Sequence, residues 1–81
     1  MINKQIRKAL KATGLNGYQA VFIDKLKSGR RSVKVVGWSI WDYRKAAMLL
    51  EPQGYKCEIR IQNQNTYAQY VSCARLHVWE K

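Results

Sequence analysis

Ten residues, Lys25 to Lys34 (KLKSGRRSVK), hold the densest functional chemistry in this sequence. Five of them are cationic (Lys25, Lys27, Arg30, Arg31 and Lys34) and none is acidic. Charge of that density attracts polyanions at long range, and the guanidinium fork donates in pairs to a phosphate or a guanine edge. A charged hairpin tip is also an ordinary way to discourage edge-to-edge sheet pairing. The complete absence of acids from the run favours a working surface. A second cationic set, Lys4, Lys8 and Lys11, recurs at helical spacing with Arg7 beside it. On its own such a stripe is the wet face of a helix. Spacing alone leaves open whether it meets the first set in space.

A third set combines rings with cations. Trp38, Arg60, Arg75, His77 and Trp79 fall on one face of a sheet if helices cover the face bearing Phe22, Val35, Ile59 and Leu76. Aromatic rings interleaved with Arg form the pattern on which bases stack in sheet-based single-strand binders. Val21, Ile23 and Val36 would share that face, and such an apolar strip equally suits a homodimer or a partner protein.

Bond-making chemistry has less to work with. His77 is the only histidine; Glu80 is three residues away, and Asp24 and Asp42 lie in other elements. Tyr43 and Tyr70 are phenols with no partner at a meaningful spacing. Five acids scattered over 81 residues offer no paired-carboxylate site. The five glycines sit at turns and do not cradle a phosphate. One His and two Cys cannot close a zinc site within one chain. If the last hairpin is centred near Asn65, Cys57 and Cys73 lie opposite each other and a bridge is geometrically allowed; otherwise they are small core residues. The expectation is a binding protein, not an enzyme, with no cofactor and no metal.

The elements that position these groups follow from periodicity. Ile2, Ile6, Ala9, Leu10 and Thr13 share one face of a helix predicted over about Asn3 to Thr13. The apolar runs Tyr18 to Ile23 and Val33 to Val36 read as hairpin arms around the Ser28-Gly29 turn. Ser39 and Asp42 have capping spacing for a second helix, which Pro52 ends. Ala46 to Leu50 is apolar nearly all round, so this helix should be the better buried. Tyr55, Cys57, Ile59 and Ile61 alternate with polar residues as one strand. After an amide-rich loop at Asn63 to Thr66, Tyr67 to Trp79 reads as the last, with its alternation slipping near Ser72 to Ala74 as at a bulge.

The order is αββαββ, an α+β fold with one four-stranded sheet and both helices packed on one face. A crossover through the second helix joins the second and third strands in parallel, a circular permutation of the ferredoxin-like order. The halves look alike. Arg7-Lys8-Ala9 and Gly17-Tyr18 match Arg44-Lys45-Ala46 and Gly54-Tyr55 at an offset of 37, with Trp41 and Trp79 closing units 4–41 and 42–79. Common helix formers can also produce that match by chance. Val35-Val36-Gly37 followed by Ala46-Ala47, Leu50 and Gly54-Tyr55 resembles the repeats of peptidoglycan-binding SPOR domains. Those residues would serve any small strand-helix-strand unit as well, and MINKQIRKAL lacks the apolar stretch of an export signal.

Composition sets the outer bounds. A chain of 81 residues, 47% hydrophobic, supports a single domain with one compact core. No apolar run approaches the roughly 18 residues that span a bilayer, so no membrane association is expected and the reading is cytoplasmic. Net charge is +10 and uneven: residues 1–41 carry nine basic residues against one acid, residues 42–81 six against four. These features predict a small basic protein that binds DNA or RNA through the hairpin tip. The alternative is a small phage-type or regulatory protein that binds and inhibits a host protein or ribonucleoprotein complex. A toxin-type ribonuclease is the weaker third reading.

Overall fold

The computed structural model describes residues 2–61 and 74–81. Its elements are α1 (Ile2–Ala12), β1 (Val21–Lys25), β2 (Arg31–Val35), α2 (Ile40–Leu50), a 3-10 turn (Glu51–Gln53), β3 (Tyr55–Ile61) and β4 (Ala74–Glu80). This is the α+β fold and the αββαββ order expected from periodicity. The strands form one sheet in the order β1-β2-β4-β3, with every neighbouring pair antiparallel. It follows that β2 and β3, joined through α2, run parallel with β4 between them. That is the ferredoxin-like strand order entered at a different point. Exchanging the two αββ halves maps the sheet order onto itself, each half supplying one central and one edge strand.

Each helix forms where its apolar spacing demands. In α1 the buried residues are Ile6, Ala9 and Leu10, one face at i, i+3 and i+4, while Lys4, Arg7, Lys8 and Lys11 stay exposed. In α2 the buried set is Tyr43, Ala46 and Leu50. Asp42 opens α2: its carboxylate accepts from the Ser39 N–H at 2.9 Å and the Ser39 hydroxyl at 3.1 Å. The helices pack on each other and close over Val33, Val35, Leu76 and Val78 of the central strands. Removing any one of the fully buried Ile6, Leu10, Leu50 or Leu76 side chains costs about 2–5 kcal/mol through lost burial and the cavity left behind.

Register corrects one expectation about the faces. Val21 pairs with Val35, Ile23 with Val33, and Leu76 with both Val33 and Ile59, so these side chains share the helix-covered face. Phe22 pairs with Lys34 on the open face and is 52% exposed. The expected assignment put Phe22 inside and Val21 and Ile23 outside. A one-residue difference in hairpin loop length inverts every side chain of the arm. The arms also shift: Tyr18 lies in a turn before β1 and is almost fully exposed, and β2 begins at Arg31.

Three further expectations change. Met48 and Leu49 of α2 are exposed, so the Ala46 to Leu50 segment, apolar nearly all round and expected to make this the better-buried helix, leaves part of its apolar surface in solvent. Trp41 lies in the first turn of α2 and is exposed, so it does not close a strand as Trp79 does. Cys57 stands opposite Val78, so the β3–β4 register is not the one centred near Asn65. Cys73, Tyr70, the Asn63 to Thr66 loop and the start of the last predicted strand lie outside the described residues.

Candidate functional site

The tip between β1 and β2 is a three-residue loop. The Leu26 N–H donates to the Arg30 carbonyl at 2.8 Å, and the Gly29 N–H donates to the Leu26 carbonyl at 2.9 Å. Gly29 sits at φ +87°, the left-handed step that such loops place after their turn. This geometry aims the five cations of the run differently. Lys25 and Lys27 project freely into solvent. The Arg30 guanidinium carbon stands 4.1 Å over the centre of the Trp79 ring. Arg31 donates from Nε to the Asn3 side-chain carbonyl and from Nη1 to the Gly29 carbonyl, each at 2.8 Å. Lys34 leaves the tip altogether and lies half-buried on the open sheet face beside Phe22.

The Arg31–Asn3 bond settles what spacing left open. It fastens the first turn of α1 to the foot of the hairpin, so the helical stripe begins where the tip ends. Asn3, Lys4, Arg7, Lys8 and Lys11 line a shallow groove of about 570 Å³. A second open cleft of about 570 Å³ lies between the tip and the end of β4, with Lys25, Arg30, Arg31, Trp79 and Glu80 in its wall. Among the described residues, which include all fifteen Lys and Arg, only Arg60 and Arg75 form ion pairs. The charge on α1 and on the tip is therefore left to solvent and to whatever binds.

The open face carries Phe22, Asp24, Ser32, Lys34, Lys56, Glu58, Arg60, Arg75, His77 and Trp79, by the pairings Phe22–Lys34, Asp24–Ser32, Ser32–His77, Glu58–His77, Arg60–Arg75 and Lys56–Trp79. Arg60, Arg75, His77 and Trp79 thus lie where the alternation put them. Arg75 braces three strands: its Nη1 donates to Asp24 Oδ2 at 3.1 Å and to Ser32 Oγ at 3.0 Å. Arg60 pairs with Glu58 at 3.4 Å in an exposed contact of little energetic consequence. His77 is only 8% exposed, and its Nδ1 has no partner among the described residues. Burial first, and then the positive charges of Arg60, Arg30 and Arg75, hold its pKa below the ordinary histidine value against the opposing pull of Glu58.

Trp38 does not belong to this face. The chain turns at Gly37, at φ +86°, and carries the indole into the core, where it meets the Tyr43 ring edge-on at 5.4 Å. Its Nε1 donates to Gln19 Oε1 at 3.3 Å. Tyr43 is structural too: its hydroxyl accepts from the Val35 N–H at 3.0 Å and donates to the Val35 carbonyl at 3.3 Å. Burial pushes its pKa up, so it is a poor acid or base near neutrality. Cys57 is a free, half-buried thiol, pushed up to about 11 by burial and by Glu51. At that value it is a weak nucleophile.

Sequence reasoning overlooked the outer face of α2. Trp41, Lys45, Met48 and Leu49 stand at i, i+4, i+7 and i+8, a second stripe separate from Tyr43, Ala46 and Leu50. Trp41 is 70% and Met48 71% exposed, and the Arg44 guanidinium lies 5.3 Å from the centre of the Trp41 ring. The stripe was legible in that spacing, but an all-apolar helix segment reads as core before it reads as surface.

No helix among the described residues is long and apolar enough to cross a membrane. Compared with known proteins, the chain matches no family model, no curated protein and no solved structure.

Proposed function

We propose that this protein binds nucleic acid, DNA or RNA, through one cationic surface built from the β1–β2 tip and the exposed face of α1. It acts as a binding protein rather than an enzyme, and its setting is cytoplasmic. The observation that supports this most is the Arg31–Asn3 contact, which joins two unpaired cationic sets otherwise separated in the chain. Lys25, Lys27, Lys4, Lys8 and Lys11 then neutralise phosphates along a continuous track, and Arg31 holds the two parts in register. Most of the affinity is electrostatic and falls steeply with salt.

The test is a salt titration of binding to a DNA duplex and to single-stranded DNA and RNA. The logarithm of the binding constant should fall with the logarithm of salt at a slope of several ions, and K25A/K27A should reduce that slope by about two. A slope near zero, or no binding to any of these ligands in low salt, overturns the reading.

The outer face of α2 supports a second reading, a protein partner. Exposed Trp41 and Met48 with Arg44 beside them are of the side-chain types enriched at protein interfaces. Under this reading W41A/M48A abolishes capture of one dominant partner while leaving nucleic-acid affinity intact.

A further inference from the structure

The cleft between the tip and the end of β4 differs from the rest of the cationic surface because it contains a ring. The Arg30 guanidinium carbon stands 4.1 Å over the centre of the Trp79 ring, with Lys25 and Arg31 in the same wall. Phosphate neutralisation alone requires none of this. Lysines alone serve that purpose, and a carboxylate in the wall, Glu80, opposes a cleft packed with phosphate. A planar group is a better occupant. Bases stack on indole rings and on guanidinium planes, and their edges offer amino groups that a carboxylate accepts from. A volume of about 570 Å³ is also in the range of pockets that take one small molecule, about 300–1,000 Å³.

We propose that the Arg30–Trp79 cleft takes one unpaired nucleotide, its base stacked against the Arg30–Trp79 pair and its phosphate on Lys25, so that the protein engages single-stranded nucleic acid. The proposal rests on the nucleic-acid reading above and adds the strandedness of the ligand. A duplex buries its base faces against one another, and this cleft reaches only ring faces that are free. The remaining strand follows the cations of the tip onto α1. Arg30 has two roles, holding the Trp79 ring and presenting a plane of its own. Arg31, tied to Asn3 and Gly29, positions the tip over the cleft.

The experiment measures fluorescence polarisation with four dodecamers at one salt concentration: single-stranded thymidine and uridine oligomers, a DNA duplex, and an abasic strand carrying the same phosphates. Both single strands should bind about tenfold more tightly than the abasic strand, the size expected for losing one stacked base. Trp79→Ala should remove that tenfold advantage while leaving the salt slope unchanged, because no phosphate contact is lost. Trp79→Phe should keep most of it, which guards against a misfolded Ala variant, and Arg30→Lys should lose it while keeping the charge. Equal affinity for the abasic strand, the duplex and the single strands overturns the stacking proposal and leaves the phosphate-binding reading standing. A preference for the thymidine over the uridine strand, or the reverse, that disappears in Trp79→Ala also supports it and identifies the sugar or base preferred. No binding to any of the four removes both readings together.

Discussion

Two buried polar side chains show how much a single residue does here. Pairing between β2 and β4 ends at Val33–Leu76, and two residues later the Tyr43 hydroxyl accepts from the Val35 N–H and donates to the Val35 carbonyl, which also accepts from the Trp38 N–H. Tyr43→Phe leaves that N–H buried without a partner, while the carbonyl keeps the Trp38 N–H at 3.2 Å, so stability should fall by about 1–3 kcal/mol, read from urea midpoints. A loss under about 0.5 kcal/mol would mean that Val35 is served some other way. His77 tests electrostatics. It faces Ser32 on β2 and Glu58 and Arg60 on β3, with Arg75 on its own strand and Arg30 from the tip. Its pKa lies below 6.5 when folded, so just under that value the unfolded chain binds more protons than the folded one. Stability is therefore full above about pH 6.5 and declines as the pH falls toward the lowered value. The loss on going from about pH 7.5 to 5.5 should be smaller in His77→Gln, and identical pH profiles for the two proteins would contradict the assignment.

At the scale of elements, legibility depended on whether a signal was local. The Ile6, Ala9 and Leu10 core stripe of α1, the Ser39–Asp42 helix start and the alternation of β3 were readable because each is fixed by near neighbours in the chain. Hairpin register was not. The turn around Ser28-Gly29 permits loops that differ by one residue, and only the Leu26–Arg30 pairing decides that Phe22 faces solvent and Ile23 the core. Trp38 was misplaced for a similar reason: strand alternation was extended through Gly37, where the backbone leaves the sheet. The same loop offers a test. A Cβ on Gly29 meets no atom within 4 Å, so Gly29→Ala strains the backbone alone at φ +87°. It should cost about 1 kcal/mol and lower single-strand affinity by loosening Arg30 over Trp79, an effect absent from binding to the abasic strand. Unchanged stability would show that the tip relaxes to another turn.

At the scale of the molecule, the charge asymmetry visible in composition becomes a surface through one contact that composition cannot reveal. Residues 3 and 31 are distant in the chain, and their side chains meet because α1 and the hairpin are fixed to the same sheet. The longest dimension of the fold is 36 Å, which about ten nucleotides span at the duplex spacing of ~3.4 Å and fewer span as an extended single strand, so a dodecamer reaches from end to end. A tetranucleotide at the tip cannot also cover Lys4, Lys8 and Lys11. Replacing those three lysines by Ala should therefore weaken binding of a dodecamer and cut its salt slope by about three, while affinity for a tetranucleotide changes little. Asn3→Leu, which removes the acceptor for Arg31 and no charge, should weaken dodecamer binding more than tetranucleotide binding because only the longer strand needs both cationic sets aligned. Equal losses for the two lengths would mean that the tip and α1 act as separate patches, and that the Arg31–Asn3 contact only steadies the fold.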